Sequence, residues 1–155
     1  MTSELKVVRR VEFSDTDMAG IVHYSNFFRY METAEHAFFR SLGFSVVTRQ
    51  TDPPVGWPRV HAECDYFQPL RFEDEIEIHL LVTEKRSKSL SYQFRFRRLS
   101  PGPVLEVARG NMTVVCVKHE DGSMRSTTIP KQIADQIEVV SADATQAPRV
   151  RKPLV

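Results

Sequence analysis

A chain of 155 residues has the length of one domain, and 21 Lys and Arg against 20 Asp and Glu leave a formal charge of +1, far from the basic excess of a nucleic-acid binder. With 41% hydrophobic and 26% charged residues, the composition is that of an ordinary globular domain, which excludes classes and selects none. The longest apolar runs, HLLV and TVVCV, fall well short of the roughly 18 residues of a membrane helix.

Residues 5–13 alternate, with Leu5, Val7, Val11 and Phe13 opposite Lys6, Arg10 and Glu12 and with Arg9 as the one interruption, which predicts a half-buried strand. The stretch SDTDMAGIVHY has neither period and reads as a loop. From Ser25 the pattern changes: Phe28, Met31, Phe38 and Leu42, with Phe27, Ala34 and Phe39, recur at steps of three and four. That spacing predicts a helix with Ser25 as N-cap and Gly43 as its stop. So Phe-rich a face suggests that something wraps around it, although ordinary core packing accounts for its members singly. Residues 44–58 carry Pro53, Pro54, Pro58 and Gly56 and read as an irregular connection.

Strands follow. Val60, Ala62, Cys64 and Tyr66 alternate with Arg59, His61, Glu63 and Asp65 in 59–67, and Ile76, Ile78, Leu80 and Val82 with Glu75, Glu77 and His79 in 75–82. In 90–97 Leu90, Tyr92, Phe94 and Phe96 oppose Ser91, Gln93, Arg95 and Arg97; these are two-faced antiparallel strands. A longer strand is expected over 104–118, then a turn at HEDGS and a short strand in MRSTTI. PKQIADQIE suits a terminal helical turn with Pro130 in its first position. The segment 141–155 has little apolar period and reads as a flexible C-terminal tail on a single domain, 1–140. One helix on one antiparallel sheet is an α+β arrangement. Cys64 and Cys116 lie in strand-like stretches, and MTSELKVVRR lacks an apolar signal segment, so a reducing cytoplasm is the expected setting.

The chemistry concentrates in Phe13 to Phe28. Asp15 and Asp17 lie on a loop that ends at a helix N-terminus, where free backbone N–H groups and the dipole suit developing negative charge. An acid beside such a site points to acyl chemistry, although an Asp before a helix also serves as a cap or turn former.

The pattern F-x-D-x-D-x-x-G-I-V-x-Y-x-N-F over Phe13–Phe27, followed by an aromatic-rich helix ending in Leu42-Gly43, resembles the hotdog-fold acyl-CoA thioesterases of the 4-hydroxybenzoyl-CoA thioesterase family. The likeness continues through YFQPLRFEDEI at 66–76 and KRSKS at 85–89. It implies a curved antiparallel sheet of five or six strands wrapped around one long central helix, in a homodimer or homotetramer with active sites at the subunit interface. It implies Asp17 as the catalytic carboxylate, either nucleophile or general base, with Asp15 bracing the loop. Backbone N–H groups near His23, Tyr24 and Ser25 would polarise the thioester oxygen, and Gly20 would let the loop approach the substrate or simply form a turn. One branch of the family has an aromatic followed by His where His23 precedes Tyr24 here, so His23 is expected either to line the acyl pocket or to hydrogen-bond Asp17, beside Asn26. Arg86 and Lys88 suit the phosphates of coenzyme A, with a solvated hairpin turn as the alternative. His61 and Glu63 share the polar face of a strand near the expected partner edge.

The five histidines show no H-x-x-x-H pair and no cysteine neighbour at zinc-like spacing, so no metal site is expected. No G-x-S-x-G elbow, P-loop or G-x-G-x-x-G occurs. The (R)-specific enoyl-CoA hydratases, which share the hotdog architecture, need D-x-N-P-[LIV]-H; Asp17 and His23 stand six apart without Asn-Pro. A non-catalytic acyl-CoA or acyl-carrier binding module is the rival from another class, and a partner-recruiting tail with Arg149, Arg151 and Lys152 is a third. The expected activity is hydrolysis of an acyl-CoA to free acid and coenzyme A, without a cofactor, since coenzyme A is part of the substrate.

Overall fold

The computed structural model describes residues 1–146. Its elements are β1 (Glu4–Arg10), a 3-10 turn (Phe13–Asp15), α1 (Asn26–Ser41), β2 (Arg59–Tyr66), β3 (Glu75–Lys85), β4 (Ser89–Ser100), β5 (Leu105–Val115), β6 (Val117–Glu120), β7 (Ser123–Ser126), α2 (Lys131–Ala134) and α3 (Ala142–Thr145). Five strands form one antiparallel sheet in the order β1-β3-β4-β5-β2, and β6 and β7 pair separately.

The alternation places Ile76, Ile78, Leu80 and Val82 of β3 and Leu90, Tyr92, Phe94 and Phe96 of β4 in the core. There they face Phe27, Tyr30, Met31, Ala34, Phe38 and Phe39 of α1. Burial of each large apolar side chain is worth about 1.5–3 kcal/mol, so sheet and helix are stable only together. Gly110 sets how close they come: a Cβ there would stand 2.1 Å from Met31 Cε and 2.9 Å from the Glu63 carbonyl oxygen. Any side chain would have to displace the tip of Met31 and press on the β2 backbone at Glu63. α1 ends as predicted at Gly43, whose φ of +84° supports two closing bonds, Gly43 N–H to Arg40 O and Phe44 N–H to Phe39 O, the Schellman arrangement.

Several expectations shift in physically clear ways. The buried helical series runs through Phe27, Tyr30, Met31, Ala34 and Phe38, so Phe28, one residue out of phase, is 36% exposed. The first strand stops at Arg10 because Glu12 N–H donates to the Asp15 carboxylate and turns the chain. Phe13 therefore stands 75% exposed, edge-on to Phe72. Arg9, the interruption, points inward with its guanidinium 4.6 Å from the centre of the Tyr30 ring, a cation–π contact that offsets its burial. In β2 the anticipated apolar face is largely uncovered, with Val60 63% and Tyr66 39% exposed; β2 is an edge strand paired only with β5. The stretch 104–118 divides between β5 and β6, and β6 turns into β7 through Asp121 and Gly122, both at positive φ, as a two-residue hairpin favours. Pro130 occupies the N-cap of α2 rather than its first turn. Within the expected tail, α3 is tied to the sheet by Arg95, whose guanidinium donates to the Ala144 carbonyl; Arg149, Arg151 and Lys152 lie outside the described residues. Among the described residues no helix is long and apolar enough to cross a membrane.

Candidate active site

The loop between β1 and α1 is organised by Asp15. Its carboxylate accepts from Glu12 N–H at 2.9 Å and Tyr30 OH at 3.0 Å, with Arg9 3.7 Å away. Its carbonyl accepts from His23 N–H at 2.9 Å and Asn26 Nδ2 at 2.7 Å. One residue thus ties the strand, the loop and the first turns of the helix. Burial, and then the Asp15 charge, lift the Tyr30 hydroxyl far above its usual range, which keeps it a donor.

Asp17 is placed differently. One of its carboxylate oxygens accepts from Ala19 N–H at 2.9 Å, while Asp17 N–H donates to Ile21 O and Asp17 O accepts from Gly20 N–H. Gly20, at φ +77° with open space around it, supplies the left-handed corner of this tight turn. The half-buried Asp17 borders a cavity of about 310 Å³ with Ile21, Val22, Tyr24, Phe27, Tyr66, Gln68, Pro69 and Leu70. The walls are apolar and aromatic, and Asp17 is the charged group among them.

Beside this cavity α1 begins with a tight turn in which Asn26, Phe27 and Phe28 N–H donate to the carbonyls of His23, Tyr24 and Ser25. Ser25 sits at the N-cap position without a side-chain cap; its hydroxyl is held instead by His23 Nδ1 at 2.7 Å. His23 N–H is committed to Asp15 O and Ser25 N–H donates to His23 Nδ1 at 3.3 Å, so of these three amides Tyr24 N–H is the one with no hydrogen bond among the described residues.

The remaining candidates are dispersed. The His23 ring stacks on Tyr24 at 4.5 Å and, within one chain, neither lines the cavity nor bonds Asp17. Asn26 braces Asp15 and is absent from the cavity wall. His61 and Glu63 lie exposed on β2, 3.4 Å apart, and Glu63 also accepts from Asn111. Arg86 and Lys88 are exposed in the β3–β4 hairpin, where Arg86 pairs with Glu84 at 2.9 Å. That hairpin lies at the far end of β3 from the Asp17 loop, roughly 35 Å along an 11-residue strand. Lys85, which precedes them, donates instead to the carbonyls of Ala134 and Ile137. Phe27, Tyr66 and Gln68 were legible as strand and helix residues or their neighbours, yet nothing in the period marked them as cavity walls. Among the described residues no group of three or more His, Cys, Asp or Glu is gathered to hold a metal ion.

Curved antiparallel strands around one Phe-rich helix make this a hotdog fold, and the chain is a thioester hydrolase of that class. It belongs to the thioesterase-like superfamily, which matches residues 11–137. It is similar to the 4-hydroxybenzoyl-CoA thioesterase of Pseudomonas sp. (strain CBS-3), 28% identical over 147 residues that cover 91% of this chain and 100% of that one. The crystal structure of the mutant D17N of 4-hydroxybenzoyl-CoA thioesterase complexed with 4-hydroxybenzoyl-CoA superposes with a TM-score of 0.77 at 25% identity, covering 86% and 98% of the two chains. A gentisyl-coenzyme A thioesterase superposes with a TM-score of 0.71 at 30% identity over 84% of this chain and 99% of that one. A 1,4-dihydroxy-2-naphthoyl-CoA hydrolase of Prochlorococcus marinus is 27% identical over 147 residues, 88% and 89% of the two chains.

Proposed function

We propose that this chain hydrolyses aromatic acyl-CoA thioesters to the free acid and coenzyme A, with Asp17 as the catalytic carboxylate. The observation that carries the reading is the Asp17 carboxylate, held by Ala19 N–H and set in the wall of an otherwise apolar, ring-lined cavity at the start of α1. Tyr24, Phe27, Tyr66 and Pro69 offer flat surfaces to a planar acyl group. The similar proteins that act on hydroxybenzoyl, gentisyl and dihydroxynaphthoyl thioesters support this, as does the D17N mutant bound to its thioester.

The carboxylate attacks the thioester carbon directly, or deprotonates a water that does. In the first case the carbon–sulfur bond breaks, coenzyme A leaves as a thiolate that takes up a proton, and water cleaves the resulting anhydride. In the second, the water oxygen adds to the thioester carbon as Asp17 takes its proton, the carbon–sulfur bond then breaks, and that proton passes to the departing coenzyme A thiolate. In both, charge collects on the carbonyl oxygen, and Tyr24 N–H at the positive end of α1 stabilises it. Acyl-Asp17 trapped by rapid quench and mass spectrometry distinguishes the two routes. The reaction as proposed draws on no cofactor.

Assembly completes the site. The uncovered face and free edge of β2 suit a second copy, which would bring His61 and Glu63 to the interface, and Arg86 and Lys88 reach coenzyme A phosphates only from another chain. The test is free-thiol release from a panel of aliphatic and aromatic acyl-CoAs by native protein and Asp17→Asn, with sedimentation to read the assembly. Cleavage of aromatic thioesters that collapses in the variant supports the reading; intact binding without cleavage by either protein leaves a binding module.

A further inference from the structure

Tyr66 closes β2, and its hydroxyl donates to the Tyr24 carbonyl at 2.9 Å, across 42 positions of sequence. That carbonyl also accepts a longer bond from Phe27 N–H, at 3.3 Å. The Tyr66 ring packs edge-on against Phe27 at 5.1 Å, and both rings line the cavity that Asp17 borders. Burial, and then the neighbouring Cys64, raise the hydroxyl far above its usual range, so it keeps its proton and donates at any working pH.

The Tyr24 carbonyl and the Ser25 N–H, which donates to His23 Nδ1 at 3.3 Å, are the two ends of one planar peptide unit, so fixing the carbonyl fixes the turn that carries Tyr24 N–H. A hydrogen bond accepted at the carbonyl also polarises the N–H opposite it. No side chain caps this end of α1, and the Ser25 hydroxyl is occupied by His23. The turn is therefore held from two sides, by Asp15 through His23 N–H and Asn26 and by the sheet through Tyr66.

We infer that Tyr66 is a positioning residue: by holding the Tyr24 carbonyl, it sets the helix-start turn so that Tyr24 N–H faces the thioester oxygen. The inference rests on the thioesterase reading for its catalytic meaning, while the anchoring itself is independent of it. It also makes the end of the edge strand part of the catalytic geometry.

Tyr66→Phe removes one oxygen and keeps the ring. Complete loss of an oxyanion donor costs about 10²–10³ in kcat in other enzymes, so loosening one is expected to lower kcat about tenfold. KM for the best thioester stays within about twofold, since the cavity wall is intact. Hydrogen exchange in the folded variant should accelerate at the amides of residues 24–27 and nowhere else. An unchanged kcat, or a raised KM with kcat kept, overturns the inference and leaves Tyr66 as a wall. If the native protein cleaves no thioester, the proposed function fails, and the exchange rates still decide the anchoring: faster exchange at the turn supports it, unchanged exchange refutes it. Should Tyr66→Phe not fold, 3,5-difluorotyrosine at position 66 reads the same bond, with a shifted kcat at constant KM supporting it and no shift opposing it.

Discussion

Glu35, midway along α1, is fully buried; Arg59 donates to one of its oxygens at 2.6 Å, and the other has no partner among the described residues. Burial raises its pKa to about 7, partly opposed by Arg59. Asp17, on the loop before the same helix, keeps one N–H partner and opens onto a cavity. The carboxylate with the raised pKa is thus one enclosed in the core, with no exposure to solvent. A shifted pKa marks a site only when it coincides with a place where a reacting atom can sit; Glu35 is a matter of stability, and Asp17 is where the proposed chemistry falls.

The sharpest way to break that division is Asp17→Asn. It should lower kcat for the preferred acyl-CoA by about 10³ with KM and melting temperature nearly unchanged; a variant that turns over normally would transfer the chemistry elsewhere, Glu35 included.

Glu35→Gln should do the converse, sparing kcat and changing the pH dependence of stability. Because the folded protein holds this proton more tightly than the unfolded chain, the group's contribution is complete below about pH 4.5 and is lost as pH rises to about 7. At about 1.36 kcal/mol per pKa unit, native protein should lose on the order of 3 kcal/mol relative to Glu35→Gln between about pH 4.5 and 8. Urea unfolding at the two pH values measures it, and parallel curves would refute it.

Asp15→Ala tests the frame around Asp17. It strands Glu12 N–H and Tyr30 OH and frees the loop, so stability should fall by about 1–3 kcal/mol and kcat by about 10-fold or more. A loss in melting temperature alone would show that Asp17 holds its position unaided. The smallest effect is expected from joint Arg86→Ala and Lys88→Ala, which should raise KM about tenfold and spare kcat. An unchanged KM would leave them as a solvated turn.

Much of this was legible before the fold was known. Period two placed Ile76 through Val82 and Leu90 through Phe96, and period three to four placed α1, because those patterns are set by what each element buries locally. The distinction between Asp15 and Asp17 came from resemblance, since spacing alone makes both plausible turn residues. The link between Tyr66 and Tyr24 was invisible: an alternating aromatic in a strand announces burial, not where its hydroxyl ends. Glu35 broke the rule that charges face water, and its partner Arg59 lies 24 positions away. The exposed face of β2 was misread for a related reason. Alternation says which residues share a face, not whether anything covers that face.

The distance between Asp17 and the β3–β4 hairpin on one chain has a genetic counterpart. If each site draws its carboxylate from one copy and its phosphate grip from another, two impaired proteins, one deficient in kcat and the other in KM, can rescue each other. Asp17→Asn chains and chains with Arg86→Ala and Lys88→Ala, co-refolded, would assemble some sites from two unaltered halves. Two damaged alleles in one cell would then complement, and a damaged chain in excess would poison a sound one.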